Sequence, residues 1–389
     1  MPFASGLSEH PDAATAVGEV TGRVLEVLGP APDLAVLFVT GAHLDRFAHI
    51  VDAARTLLAP GTLLGAAAAS VVGTEREVEE VPGIALWAGN VGRVVPLRLG
   101  AERVAEDEIG ITGWPDEDGP DGFEPSALLL VADPYSFSAE ALFAFVEERH
   151  PGLPVVGGMA SAAMAPGGNR LVLDEYVTPA GAVGVLLGDG VEVDTVVSQG
   201  CRPVGAPWSV TEVEGNVVRA LAGQPPLQRL VQIAEQELDA EEVAAINSGR
   251  LHIGRVIDER KPEFGPGDFL VRNVIGGDRS TGAIAITDVV DVGTTLQFHL
   301  RDAAAADVEL HALLAGRHAD SALLFTCNGR GTFTFGTPDH DAATLAEELG
   351  PIPVAGFFAA GEFGPVGGRN FVHGFTAAVA LLRDRVATP

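Results

Sequence analysis

From Ala322 to Gly329 the chain reads "ALLFTCNG", a run of apolar and small residues ending in a polar turn, which is the pattern of a buried strand opening onto a loop. Two other passages share that form: "LAVLFVTG" from Leu34 to Gly41 and "ALLLVADP" from Ala127 to Pro134. Helical spacing follows each of them. Leu44, Phe47, Val51, Ala54 and Leu58 share one face after the first, and Ser138 is placed to cap "AEALFAFVEERH" after the second. After the third, Asp341 and Gly350 are placed as N-cap and C-cap of "DHDAATLAEELG". A second strand with an early glycine comes next, "TLLGAAAAS", "PVVGGMASA" and "PVAGFFAAGE", and then a third that opens at a glycine, "GIALWAG", "GAVGVLLG" and "GFTAAVALL".

The repeating unit is thus strand, helix, strand, glycine-rich turn, strand. A helix covers one face of such a unit, so the other face must pack on a second sheet or another copy. The expected fold class is α/β (α+β), with two modules of repeated strand-helix-strand-strand units, mixed sheets packed together and helices outside. Copies that interleave would form one continuous sheet instead. The boundary is placed near residue 205, in the Pro and Gly-rich "SQGCRPVGAPWSV", giving modules 1–205 and 206–389. The acidic run "WPDEDGPDGFEP", Trp114 to Pro125, reads as a surface loop inside the first module. "SVVGTEREVEE", Ser70 to Glu80, alternates charged residues with Val and reads as a solvated strand.

With 389 residues, nearly half of them hydrophobic, the chain is long enough to bury substantial cores. A formal net charge of -29, without clusters of Lys and Arg, argues against binding to nucleic acid or to an anionic membrane. Cys201 and Cys327 stand far apart without metal-ligand spacing, so neither a disulfide framework nor a zinc site is expected, and a reducing cytoplasm is. The start of the chain lacks a signal-peptide pattern, and no stretch reaches the roughly 18 uncharged apolar residues needed to span a bilayer.

Chemistry is sought first at "TCNGRG", Thr326 to Gly331, because α/β folds build ligand sites at strand ends. Arg330 is a donor fork suited to a carboxylate, and Asn328 both donates and accepts. Cys327 suits a pocket lining; as a nucleophile it would need a partner such as His373. Glu362 follows Ala359, Ala360 and Gly361, small residues that allow a close backbone approach. A carboxylate there can hold a ligand ammonium or bond its own loop. Arg272 and Asn273, with Asp278 close behind, and Arg301 with Asp302 add polar groups at strand ends, where surface ion pairs are the ordinary role. No P-loop, GxGxxG, HExxH or GxSxG pattern occurs, and no cofactor or metal is expected.

"LLFTCNGRG" with "PVAGFFAAGEFGP" and "FVHGFTAAVALL" resembles the C-terminal module of the FIST family. "LAVLFVTGAH", "LLGAAAAS" and "GIALWAG" resemble its N-terminal module, so the likeness runs over roughly residues 30 to 382. The resemblance implies an intracellular sensory protein whose ligand is an amino acid or related small molecule. The candidate ligand contacts, gathered from their places at strand ends and turns, are Arg272, Asn273, Arg301, Cys327, Asn328, Arg330, Gly361 and Glu362. A ligand carrying ammonium and carboxylate would suit Glu362 and Arg330. The chain leaves no room for a fused output module, so its signal is expected to pass to a separate partner. The alternative is a thiol-dependent hydrolase or transferase with Cys327 as nucleophile and His373 as base.

Overall fold

The three early glycines fix how the copies are built. In the computed structural model, which describes residues 2–385 except 106, 107, 117, 118, 121 and 266, Gly65, Gly157 and Gly356 lie opposite Leu37, Leu130 and Leu324 on parallel neighbours. A Cβ on each glycine would stand 2.1, 1.8 and 1.8 Å from the carbonyl oxygen of the opposing leucine. No side chain fits there, so the same backbone approach demands glycine in every copy.

Each copy places its first strand at the centre. Strand Leu34–Thr40 runs parallel to Thr62–Ala68 and antiparallel to Ile84–Gly89. Ala127–Ala132 is flanked in the same way by Val155–Met159 and Ala182–Leu187, and Ser321–Cys327 by Val354–Ala359 and Ala377–Asp384. An extra strand borders each third strand: Phe3–Ser8, Val94–Ala105 and Val191–Ser198.

The glycine-rich turn of the sequence reading is in each copy a hairpin, and that hairpin joins another copy's sheet. Ser70–Gly73 and Arg76–Glu79 of the first copy extend the third copy's sheet, where Val71 and Val72 pair with Phe357 and Gly356. Leu171–Leu173 and Tyr176–Thr178 of the second extend the first. Glu362–Val366 and Arg369–His373 of the third extend the second, through Gly157 and Gly158. The exchange is cyclic, so none of the three sheets is complete without a neighbouring copy.

One face of every sheet enters a common core. Phe38, Phe325 and Phe357 meet there at ring-centroid distances of 4.8 to 6.1 Å, and Trp87 Nε1 donates to Ser321 Oγ at 2.6 Å. Helices Ala13–Leu28 and Phe47–Leu58 cover the outer face of the first sheet, and Ala139–Arg149 that of the second. The fold is mixed α/β with several mixed sheets packed together and helices outside, as expected.

Compactness does not follow the expected cut near residue 205, which falls inside the continuous strand Cys201–Glu214. One unit comprises Met1–Val197 and His311–Pro389 and holds all three copies; the other is Ser198–Leu310. The second unit is a closed barrel of strands Cys201–Glu214, Val217–Leu221, Ile284–Ile286, Phe269–Gly277, Leu251–Val256 and Thr295–Arg301, in that spatial order. Ile253, Ile284, Leu296 and Phe298 belong to its core. Of the acidic loop 114–125, residues 117, 118 and 121 lie outside the described residues.

Candidate functional site

Ser321–Cys327 ends at a turn pinned on both sides. Cys327 N–H donates to Thr376 O, Asn328 N–H to Ala359 O, and Arg330 N–H back to Cys327 O, at 2.8 to 3.0 Å. Cys327 is half-buried and its Sγ accepts from Gly329 N–H at 3.4 Å, while Asn328 is exposed. The turn therefore presents a thiol and a side-chain amide at the carboxyl end of a parallel strand, the usual place for a ligand in such sheets.

Glu362 is fully buried as the first residue of the exchanged hairpin. Its Oε2 accepts from Thr376 N–H at 3.1 Å and from Thr376 Oγ1 at 2.6 Å, tying the hairpin to the start of the next strand. Oε1 is buried and meets no donor in good hydrogen-bond geometry. The Cys327 thiol is close enough to lower the carboxyl's pKa, by less than Thr376 does. Burial dominates and pushes that pKa up to about 8. Ala360 and Gly361 allow the approach expected of small residues, and what approaches is the second copy's strand: Ala360 N–H donates to Met159 O, and Met159 N–H to Gly361 O.

Arg330, expected to offer its fork to a ligand carboxylate, gives it to Asp341. Nε and Nη2 donate to the two carboxylate oxygens, each at 2.7 Å, with both side chains 1% exposed. Asp341 also accepts from Thr326 Oγ1 at 2.6 Å. Burial opposes its ionisation, yet the Arg330 charge and hydrogen bonds outweigh burial and hold the carboxyl well below the usual range. Asp341 is thus not the N-cap of its helix; Asp339 precedes the helix His340–Leu349, and Gly350 closes it at φ 81 as expected.

The sequence reading missed Glu77. Its strand is expected to be solvated, but Glu77 is 5% exposed and its Oε1 accepts from the backbone N–H groups of Asp341 and Ala342 at 3.0 and 3.1 Å. Burial, then the Asp341 carboxylate, pushes its pKa up to about 8. Glu79 accepts from Thr332 N–H and Oγ1 at 3.0 and 2.7 Å. Alternation of Glu with Val and Arg looks the same on an exposed edge and on a hairpin inserted beside another copy, so only the exchange distinguishes them.

Glu77 and Glu362 have folded pKa values raised above those of an unfolded chain, so the folded state holds more protons between about pH 4.5 and pH 8. Stability from these groups is complete below that window and is lost as pH rises through it, at up to about 1.4 kcal/mol per pH unit for each. The melting temperature is expected to fall from pH 5 to pH 8, and Glu362→Gln should flatten the slope. Equal slopes in the two proteins would refute the assignment.

The remaining candidates have other partners. His373 pairs opposite Glu362, is 4% exposed, and its Nε2 lies 2.9 Å from Gly364 O, a bond that occupies this nitrogen in the role of base towards Cys327. Arg272, Asn273 and Arg301 belong to the barrel unit. Arg272 Nε stands 3.5 Å from Asp288, and Asn273 pairs opposite His252, whose pKa burial pushes down to about 4. Arg301 lies opposite Cys201 on the strand Thr295–Arg301. Asp278 accepts from Ser280 and Thr281 in its own turn, and Asp302 Oδ1 from Ala304 N–H. Among the described residues, no helix is long and apolar enough to cross a membrane and no group of three or more metal-ligating side chains is present.

Known proteins supply the remaining observation. Residues 33–224 match the FIST N domain and residues 226–365 the FIST C domain. Uncharacterized protein Mb0898c of Mycobacterium bovis and Uncharacterized protein MT0897 of Mycobacterium tuberculosis are each 43% identical over 395 residues, covering 99% of both chains. Uncharacterized protein Rv0628c of Mycobacterium tuberculosis is 41% identical over 400 residues, covering 99% of this chain and 100% of that one. With the domain matches in order along the sequence, the chain belongs to the FIST family, whose domains act as small-ligand-binding sensory domains in signalling.

Proposed function

We propose that the protein senses an amino acid or related small metabolite in the cytoplasm, and that the ligand meets it at the turn formed by residues 327–331 and 360–362. One observation carries this reading: a buried carboxylate oxygen, Glu362 Oε1, lacks a well-aligned donor beside the half-open Cys327. A ligand ammonium supplies such a donor, and its positive charge offsets the burial that raises the Glu362 pKa, so that the carboxyl gives up its proton when the ligand binds. With Arg330 held by Asp341 and the backbone N–H groups of residues 327–330 engaged within the turn, the ligand's carboxylate falls to the Asn328 side-chain amide. Arg330 is then a positioning residue that fixes the turn, and the signal passes to a separate protein.

A thermal-shift screen against the amino acids and common metabolites tests this, since a ligand present at 100 times its Kd stabilises the fold by about 2.7 kcal/mol. A hit is expected that raises the melting temperature and is lost in Asn328→Ala, an exposed substitution that leaves the fold intact. A hit that persists in Asn328→Ala would move the ligand away from this turn, and no hit at all would contradict the proposal.

A further inference from the structure

The internal repeat exposes a difference between copies one and three. Because Gly65 and Gly356 hold equivalent places opposite Leu37 and Leu324, Thr40 corresponds to Cys327 and His43 to Arg330. The helix C-caps Ala59 and Gly350 each stand six residues before those glycines, so His49 corresponds to His340 and Ile50 to Asp341. In copy three the Asp341 carboxylate accepts from Arg330 and lies 2.9 Å from His340 Nδ1. Copy one keeps donors at both places and replaces the acceptor by isoleucine.

The consequence is visible at His43, which is 3% exposed and whose Nε2 is buried without a hydrogen-bond partner. His43, His49 and Ile50 line a cavity of about 590 Å³, within the ordinary size range of small-molecule sites. Arg46 lies on it, as do Ala13 and Ala14, the first residues of the helix Ala13–Leu28, whose N–H groups have no intrahelical acceptor. Two carboxylates share the cavity: Asp12 Oδ1 accepts from Thr15 N–H and Oγ1 at 2.9 and 2.8 Å, and Asp45 stands 3.4 Å from Arg46, with which it pairs. Val17, Ile50 and Leu57 give the lining its apolar part.

We propose that this cavity is a second small-ligand site, separate from the turn at Cys327, and that it takes a monocarboxylate with a short apolar chain. The ligand's carboxylate does for His43 and His49 what Asp341 does for Arg330 and His340, and its chain lies along Val17, Ile50 and Leu57.

The test is calorimetric titration of the full chain with sodium alkanoates from acetate to decanoate, alongside the alcohols of equal length. Affinity is expected to rise at least tenfold from butanoate to octanoate, with octanol at least tenfold weaker than octanoate. His49→Ala, at an exposed position, should weaken octanoate at least tenfold, and Ala53→Trp, which fills the cavity, should abolish its binding, both with melting temperatures near that of the parent. Equal binding of octanol and octanoate, octanoate binding that survives both substitutions, or no binding by any alkanoate would overturn the proposal.

Discussion

Gly356→Ala is expected to destabilise the protein by about 4 kcal/mol or more, or to prevent folding. The new Cβ would stand 1.8 Å from Leu324 O and 2.7 Å from Leu324 C, both backbone atoms of the neighbouring parallel strand, so no rotamer change relieves the overlap. Relief requires the two strands to separate where the third copy's sheet meets the common core. Gly18→Ala is the matched control. Gly18 lies within the helix Ala13–Leu28, a Cβ there meets nothing within 4 Å, and alanine should stabilise by up to about 1 kcal/mol. Urea unfolding of both variants checks the pair; a Gly356→Ala protein within about 1 kcal/mol of the parent would show that the glycine is not required.

Asp341→Ala carries the next largest expected effect, about 3 to 5 kcal/mol, because it leaves the Arg330 guanidinium buried without its counter-ion. Arg330→Met alone strands the carboxylate in the same way. The double variant Arg330→Met, Asp341→Leu is expected to be more stable than either single variant, since a buried ion pair is costly to break and far less costly to replace by apolar groups. A double-mutant cycle by urea denaturation gives the coupling. Additive losses would mean that the two side chains do not act as a pair.

The repeat was legible because its signals are local. A strand, a helix of suitable spacing and a glycine before the next strand recur in order, and the glycine has one steric cause in all three copies. Ser138 as a cap and Gly350 as a stop follow from the same local chemistry. The exchange of hairpins was not legible, because the residues that pair across copies, such as Val72 with Gly356 or Gly158 with Glu362, are separated by some 200 positions or more and carry no pairing code of their own.

The same limit shaped the site reading. Cys327, Asn328, Arg330, Gly361 and Glu362 were gathered by strand-end position, and the structure places them around one turn and one hairpin start. Arg330 was read as available because nothing in "NGRG" shows that Asp341, expected as a helix cap, faces it. Glu77 was missed for the same reason, since its burial comes from another copy's helix. Arg272, Asn273 and Arg301 share a stretch of sequence with the site and belong to a different compact unit.

Alkylation of the two cysteines is the most direct test of a ligand site at the turn, since Cys327 lies in it and Cys201, in the barrel unit, serves as an internal reference. The rate of iodoacetamide modification at each thiol is measured by mass spectrometry with and without a compound that raises the melting temperature. The proposal predicts that saturating ligand slows Cys327 at least tenfold and leaves Cys201 unchanged. A bound ligand that leaves the Cys327 rate unaltered would contradict it.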